Sequence, residues 1–231
     1  MTRSGLICVS VAAEDAAGII AAVLPVVDLV DVVEIRLDGM HHPAIEPCIA
    51  TLPRPVLVTN RPTWEGGQFV GSEQKRIDLL CRAVQSGAQY VDIELRTEVE
   101  LRRQVQEEAR RHGCKVILSS HDFQGTPPLA TLRETLGQMI ASGVDIGKMV
   151  TTAATAEEAL RILALQQEAL ASHFPLSAFA MGAAGKISRL ATLYLGGCMT
   201  YAAITAEQAT APGQLSVHDL RTLIAFFEDR P

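Results

Sequence analysis

Val33-Glu34-Ile35-Arg36-Leu37-Asp38 decides how this chain folds. Its side chains alternate apolar and charged, the period-2 pattern of a β-strand. Val33, Ile35 and Leu37 therefore share one face, and Glu34, Arg36 and Asp38 the other. The alternation returns at Val91-Asp92-Ile93-Glu94-Leu95. Working outward from these two runs, short β-branched stretches recur at 6–12, 31–38, 55–61, 90–95, 115–121, 145–151, 176–182 and 199–204, separated by longer amphipathic stretches. Regular alternation of strand and helix implies parallel strands joined by crossovers. Eight such units in 231 residues fit a compact (β/α)8 (TIM) barrel, an α/β fold, with residues 1–231 as a single domain. A doubly wound open sheet is the alternative, but no G-x-G-x-x-G follows the first strand. In a barrel the apolar face packs under the helices, so Glu34, Arg36, Asp92 and Glu94 point inward. Carboxylates enclosed there need partners, and Arg36, Arg61 and Lys148 are the candidates.

Several helices carry start and stop signals. Thr97 with Glu100 has the spacing of a capping box, and Gly113 follows at the other end. Thr126 precedes Pro127, which predicts a helix starting there; Leu129, Leu132, Leu136, Met139 and Ile140 form its apolar stripe and Gly143 ends it. Thr155 with Glu158 opens another helix. After Ser216 the last one carries Leu220, Leu223, Ile224 and Phe227 at helical spacing.

Composition narrows the function. Hydrophobic residues make up 48% and charged ones 20%, as in a globular chain. The net charge of −6 argues against nucleic acid as a partner. An anionic substrate would need a local arginine cluster. No apolar run approaches the roughly 20 residues that span a bilayer, and Met1-Thr2-Arg3-Ser4-Gly5 leads into the first strand without a signal-peptide core. Cys8, Cys48, Cys81, Cys114 and Cys198 stand far apart with no C-x-x-C pair. This spacing suits free thiols in a cytoplasmic protein and offers no metal site.

Two residues suggest chemistry. Lys148 lies near the end of the apolar run Val144-Asp145-Ile146-Gly147-Lys148-Met149-Val150. Burial of an ammonium in apolar surroundings favours the neutral amine, which attacks ketones to form imines. His121 closes Lys115-Val116-Ile117-Leu118-Ser119-Ser120-His121 and could exchange the proton. Singly, His121 reads as well as a structural histidine, and Lys148 as a partner for Glu34. Both at strand ends of one barrel, where active sites of this fold lie, point to catalysis. Arg61 ends the third strand, and the loop after it holds Trp64-Glu65-Gly66-Gly67. Glu65 could orient a histidine, although Arg61 and Glu65 read equally well as a surface ion pair. After the seventh strand, Met181-Gly182-Ala183-Ala184-Gly185-Lys186-Ile187-Ser188-Arg189 turns into a helix, an arrangement that suits an anion. The spacing of a phosphate loop is absent. Thr210-Ala211-Pro212-Gly213-Gln214 is a turn-forming stretch.

Together these segments resemble the type I 3-dehydroquinate dehydratases of the shikimate pathway. The resemblance rests on Val33 to Asp38, Arg61 with Glu65-Gly66-Gly67, Ser120-His121-Asp122-Phe123, Asp145-Ile146-Gly147-Lys148, Met181-Gly182 through Ser188-Arg189, and Ala211-Pro212-Gly213-Gln214. It implies a (β/α)8 barrel that dehydrates 3-dehydroquinate without any cofactor or metal. Lys148 would form the imine, His121 would be the general acid/base, and Glu65 would orient it. Arg189 would bind the substrate carboxylate, with Glu34, Arg36, Arg61 and Gln214 as other polar contacts and Ser10 as a further one. Met181 and Tyr201 would close over the ring. Thr210 stands where a serine is familiar, and Tyr201 where phenylalanine is common, so its hydroxyl needs a partner. The family is commonly homodimeric, and some of its members are fused to a shikimate dehydrogenase. A barrel aldolase, using the same imine to break a carbon–carbon bond, and a non-catalytic relative acting as a binding protein are the competing readings. An aldolase would want a phosphate cradle, whereas Arg189 with Gln214 suits a carboxylate.

Overall fold

Eight parallel strands, β1 (Leu6–Val11), β2 (Val32–Arg36), β3 (Val56–Thr59), β4 (Tyr90–Glu94), β5 (Lys115–His121), β6 (Ile146–Thr152), β7 (Leu176–Met181) and β8 (Met199–Ala202), form one sheet in the order β7-β6-β5-β4-β3-β2-β1-β8. Consecutive strands are neighbours, and β8 returns to β1 with Cys8 beside Tyr201. Between β8 and β7 there is no ladder among the described residues. One backbone bond, Cys198 N–H to Leu176 O at 2.9 Å, draws the two strands together at their N-terminal ends. The computed structural model describes residues 3–228. Met1 and Thr2 of the expected leader-free start, and the last three positions of the expected 1–231 domain, lie outside the described residues.

Helices α1 (Ala16–Val23), α2 (Glu46–Thr51), α3 (Glu73–Gln85), α4 (Val99–His112), α5 (Leu129–Ala141), α6 (Ala156–Ala171), α7 (Lys186–Ala191) and α8 (Val217–Glu228) follow the strands in turn. The expected strand parity holds. Val33, Ile35, Val91 and Ile93 belong to the apolar layer between barrel and helices, while Glu34, Asp92 and Glu94 are buried on the inner side. A separate inner cluster that includes Cys8, Val32, Leu57, Ile117, Ile146 and Met199 fills the lower barrel. Apolar residues thus close the floor, and charged ones stand above it. The thiols are free and four of the five are buried; Cys198 is partly exposed.

Several expected boundaries shift, each for a local reason. The β2 strand ends at Arg36, and Leu37–Gly39 turn as a short 3-10 segment, so Asp38 leaves the strand. Thr97 caps nothing: its hydroxyl accepts from Arg76 Nη2 at 2.8 Å, and Glu98 occupies the cap position without a side-chain bond. Thr126 is also diverted, bonding Thr151 Oγ1 at 2.8 Å, and α5 starts two residues after Pro127. In both cases a tertiary partner outcompetes the helix for the hydroxyl. Thr155 does cap α6, accepting from Glu158 N, although Glu158 returns its carboxylate to Ala154 N at 2.6 Å. On α8, Leu220 and Ile224 are buried while Leu223 and Phe227 are exposed, so only half of that stripe faces the core. Gly113 and Gly143 end their helices with left-handed φ of 67° and 70°. No helix among the described residues is long and apolar enough to cross a membrane.

Candidate active site

Lys148 is the third residue of β6, four positions before its end, rather than a strand-end residue as expected. Its surroundings are ionic rather than apolar. Nζ lies 3.2 Å from Asp92 Oδ2 and 3.5 Å from Glu34 Oε1, and 3.9 Å from the centre of the Tyr201 ring. Thr59 donates to the same Glu34 oxygen at 2.7 Å. Although burial works the other way, Lys148 and then Arg36 hold the Glu34 carboxyl below its usual range. The side chain of Lys148 is only 6% exposed, so the amine is reached from the barrel mouth alone.

Arg61 is no surface residue. It is 4% exposed and donates through Nη1 to Glu94 Oε1 (2.6 Å) and Ser119 Oγ (2.7 Å), and through Nη2 to Asp92 Oδ1 (2.9 Å). Burial opposes its charge, but Asp92 and Glu94 outweigh that and raise its pKa. The other oxygen of Glu94 is taken by Arg76 of α3, a fully buried arginine. Three carboxylates, Glu34, Asp92 and Glu94, thus face three cations, Lys148, Arg61 and Arg76. Arg36 stays outside this set: its Nε and Nη2 grip Asp38 at 2.8 and 2.6 Å.

His121 ends β5, one inward-facing position above Ser119, the register partner of Lys148. Its Nδ1 is 3.0 Å from Glu65 Oε1, and its backbone N–H donates to the same oxygen at 3.1 Å. This contact fixes the ring and leaves Nε2 to exchange protons. Burial, with Arg61 and Lys148 nearby, holds the imidazole well below its usual pKa, so it rests neutral. Burial lifts the Glu65 carboxyl to about 7, and its Oε2 has no partner. The loop carrying Glu65 is pinned by Gly66, which has φ 77° and lies so close under the Phe123 ring that a Cβ there would collide with it. Phe123 in turn stacks on His121, with centroids 6.2 Å apart.

At the β7–β8 seam, Arg189 of α7 lies over the Phe179 ring at 4.9 Å. Among the described residues its acceptors are two carbonyls, Tyr201 O at 3.5 Å and Pro212 O at 3.3 Å, and its Nε has none. Among the described residues no carboxylate pairs with this 2% exposed cation, and burial lowers it to about 10. A buried guanidinium without a carboxylate partner is suited to pairing with an anion. Next to it the Thr210 hydroxyl bonds Ser10 Oγ at 3.1 Å and Gln214 Oε1 at 3.2 Å, so residues from β1 and the β8–α8 loop meet. The Tyr201 hydroxyl, which the sequence said would need a partner, is buried and has none.

All twelve side chains singled out from the sequence line one cavity, with about 530 Å³ of atom-free space, part of it open to solvent. That matches the scale of small-molecule sites. Gly66, Phe123, Val150, Phe179 and Ala211 complete its wall. Of these, Phe123 was present in the quoted Ser120–Phe123 motif without a role. Asp92 and Arg76 support the site from behind; Arg76 reads in the sequence as an ordinary helix charge.

Known proteins share this chain and fold. The sequence profile of the type I 3-dehydroquinase family matches residues 7–231. The chain belongs to the type I 3-dehydroquinase family. It is 42% identical over 195 residues to the 3-dehydroquinate dehydratase of Desulfotalea psychrophila, covering 84% of this chain and 86% of that protein. The crystal structure of the Clostridium difficile type I 3-dehydroquinate dehydratase with covalent modified comenic acid superposes with a TM-score of 0.88 at 25% identity. That superposition covers 99% of this chain and 94% of the other. A bifunctional 3-dehydroquinate dehydratase/shikimate dehydrogenase from Arabidopsis thaliana is 35% identical over 201 residues, 85% of this chain and 32% of that longer protein.

Proposed function

We propose that this protein is a 3-dehydroquinate dehydratase that converts 3-dehydroquinate to 3-dehydroshikimate in the shikimate pathway, through a Schiff base at Lys148 with His121 as general acid/base. Family membership over residues 7–231 supports the reaction. The observation that carries the mechanism is one cavity holding a buried lysine, a neutral histidine and an unpaired guanidinium. The substrate carboxylate would dock on Arg189, relieving its uncompensated charge, while Ser10, Thr210 and Gln214 offer hydrogen bonds beside it. Lys148 would shed a proton, add to the ketone as the amine, and see that proton return to the ketone-derived oxygen, which departs as water and leaves a protonated imine. Glu34 and Asp92, 3.5 and 3.2 Å from Nζ, face that positive charge. The iminium makes the adjacent C–H acidic because it accepts the electron pair as an enamine. His121 Nε2 takes the proton, with Glu65 against Nδ1 stabilising the imidazolium. The same imidazolium then protonates the departing hydroxyl. Collapse of the enamine expels it as water, and hydrolysis of the imine frees the conjugated ketone and Lys148. Glu65 thus acts by orienting His121, while Arg36, Arg61, Met181 and Tyr201 shape the ring's surroundings. No step calls for a metal or an organic cofactor. The covalent modified ligand in the Clostridium difficile structure fits a family that captures ligands covalently. Cytoplasmic location and a homodimeric state belong to the same reading, and sedimentation at micromolar concentration tests the second. A direct test of the chemistry follows the absorbance of the conjugated product. The unaltered protein should generate it from 3-dehydroquinate, and His121→Ala should not, while still trapping substrate covalently. Unchanged turnover in that variant removes His121 from the mechanism.

A further inference from the structure

Asp92, Glu94 and Arg76 do not line the cavity, yet they form a continuous ionic chain that ends on Lys148. Arg76 is saturated with partners. Nε donates to Glu73, Nη1 to Asn60 O and Glu94 Oε2, and Nη2 to Thr97 Oγ1 and Glu73. Two of these acceptors come from its own helix and from the loop leading into α4, and a third from Asn60, just after β3. Its planar fork is therefore over-determined, which a lysine could not reproduce. Glu94 is 0% exposed and divides its two oxygens between Arg76 and Arg61. Arg61 shares Nη1 between Glu94 and Ser119 and gives Nη2 to Asp92, so holding Glu94 fixes where Arg61 presents its charge. Buried ion networks are often no more stable than apolar packing of the same volume. Such a network, anchored outside the barrel and ending on the reactive amine, calls for a role in geometry.

We propose that Arg76, acting through Glu94, is a positioning residue for the imine reaction: it locks the Arg61 guanidinium between Asp92 and the Glu65–His121 pair, and so sets both the seat of Lys148 and the charge around His121. The inference rests on the function proposed above. The groups facing His121 are Arg61 and Glu65 from the segment after β3, Asp92 from β4, Lys148 from β6 and Arg36 from β2. Of these, Arg61 is linked to the helical layer through Glu94, whose other oxygen Arg76 holds. With Arg76 gone, Glu94 loses one of the two cations that oppose the burial-driven rise of its carboxyl, and Arg61 is left to keep it ionised. The added negative potential should raise the imidazole pKa.

The test compares Arg76→Met and Arg76→Lys with the unaltered protein, using 3-dehydroquinate as substrate. In Arg76→Met, kcat should fall at least about tenfold while KM changes less than about threefold, because Arg189 and its neighbours are untouched. The acid limb of the kcat–pH profile should move up by about one pH unit. Borohydride should still trap substrate at Lys148 in both variants. Arg76→Lys keeps the charge but not the fork, so kcat should fall severalfold with the acid limb unmoved. Should Arg76→Met fail to fold, Arg76→Lys decides. Unchanged kcat and pH profile in the folded variants, whatever their Tm, overturn the inference and give Arg76 a purely structural role. The unaltered protein serves as the separate control: if it neither turns over nor traps substrate at Lys148, the proposed function itself fails.

Discussion

Replacing Arg189 by Met should weaken substrate binding and strengthen the fold at once. The guanidinium has only two long bonds to carbonyls and one unpartnered nitrogen. Burial lowers it from the usual guanidinium range to about 10. A depressed base is penalised whenever it is protonated, so the penalty is present at every pH below about 10 and is relieved only above it. At about 1.4 kcal/mol per tenfold, that is roughly 3 kcal/mol of lost stability at neutral pH. Arg189→Met removes this penalty but also the two bonds, worth about 1 kcal/mol each. A net gain of about 1 kcal/mol remains, which should raise Tm by about 2–4 °C in a chain of this size. For 3-dehydroquinate the variant loses two charge-assisted bonds to a carboxylate, together roughly 3 to 6 kcal/mol. KM should therefore rise about a hundredfold or more, and kcat should fall as well, since the carboxylate sits on the carbon that loses the hydroxyl and anchoring it orients that carbon. Scanning calorimetry of the free protein and steady-state kinetics read the two effects separately. A variant that is less stable than the original and binds substrate with unchanged KM would refute the view of Arg189 as the anion-binding group.

Other outcomes follow from the same geometry. Tyr201→Phe deletes a buried hydroxyl without a partner and should stabilise the protein by about 1 kcal/mol in urea unfolding; a loss of stability would mean the hydroxyl is satisfied in solution. Gly66→Ala forces a side chain into φ 77° and against Phe123, so it should lower stability by at least about 1–2 kcal/mol and reduce kcat by displacing Glu65; wild-type Tm and kcat would count against the pinned loop. Glu65 keeps its proton to about 7 when folded but only to about 4.5 when unfolded. Its contribution is therefore lost as pH rises through that window. Glu65→Gln should flatten this fall in Tm between pH 4.5 and 7, and an unaltered pH dependence would show that Glu65 titrates normally.

Strand parity made the barrel readable, because enclosed charge on Glu34, Asp92 and Glu94 makes sense only where a closed sheet gives it partners. Most cavity residues were legible for the same reason, lying at inward strand positions or on the loops that follow, while Arg189 projects from helix α7. What stayed hidden depends on distance across the fold. Thr97 and Thr126 have the spacing of helix caps, but Arg76 and Thr151 claim their hydroxyls, and nothing local announces either rival. Arg76 itself stands in Glu73-Gln74-Lys75-Arg76, a run that looks like solvated helix surface, yet it is fully buried. Lys148 was expected in apolar surroundings because its own strand is apolar. Its partners Glu34 and Asp92 come from two other strands, which only the closed barrel brings to it.

The most direct measurement is the site of covalent capture. The protein is mixed with 3-dehydroquinate, reduced with borohydride, digested, and the modified peptide sequenced by mass spectrometry. The adduct should lie on Lys148 alone and vanish in Lys148→Met. An adduct on another lysine, or turnover that survives in Lys148→Met, would contradict imine catalysis at this amine.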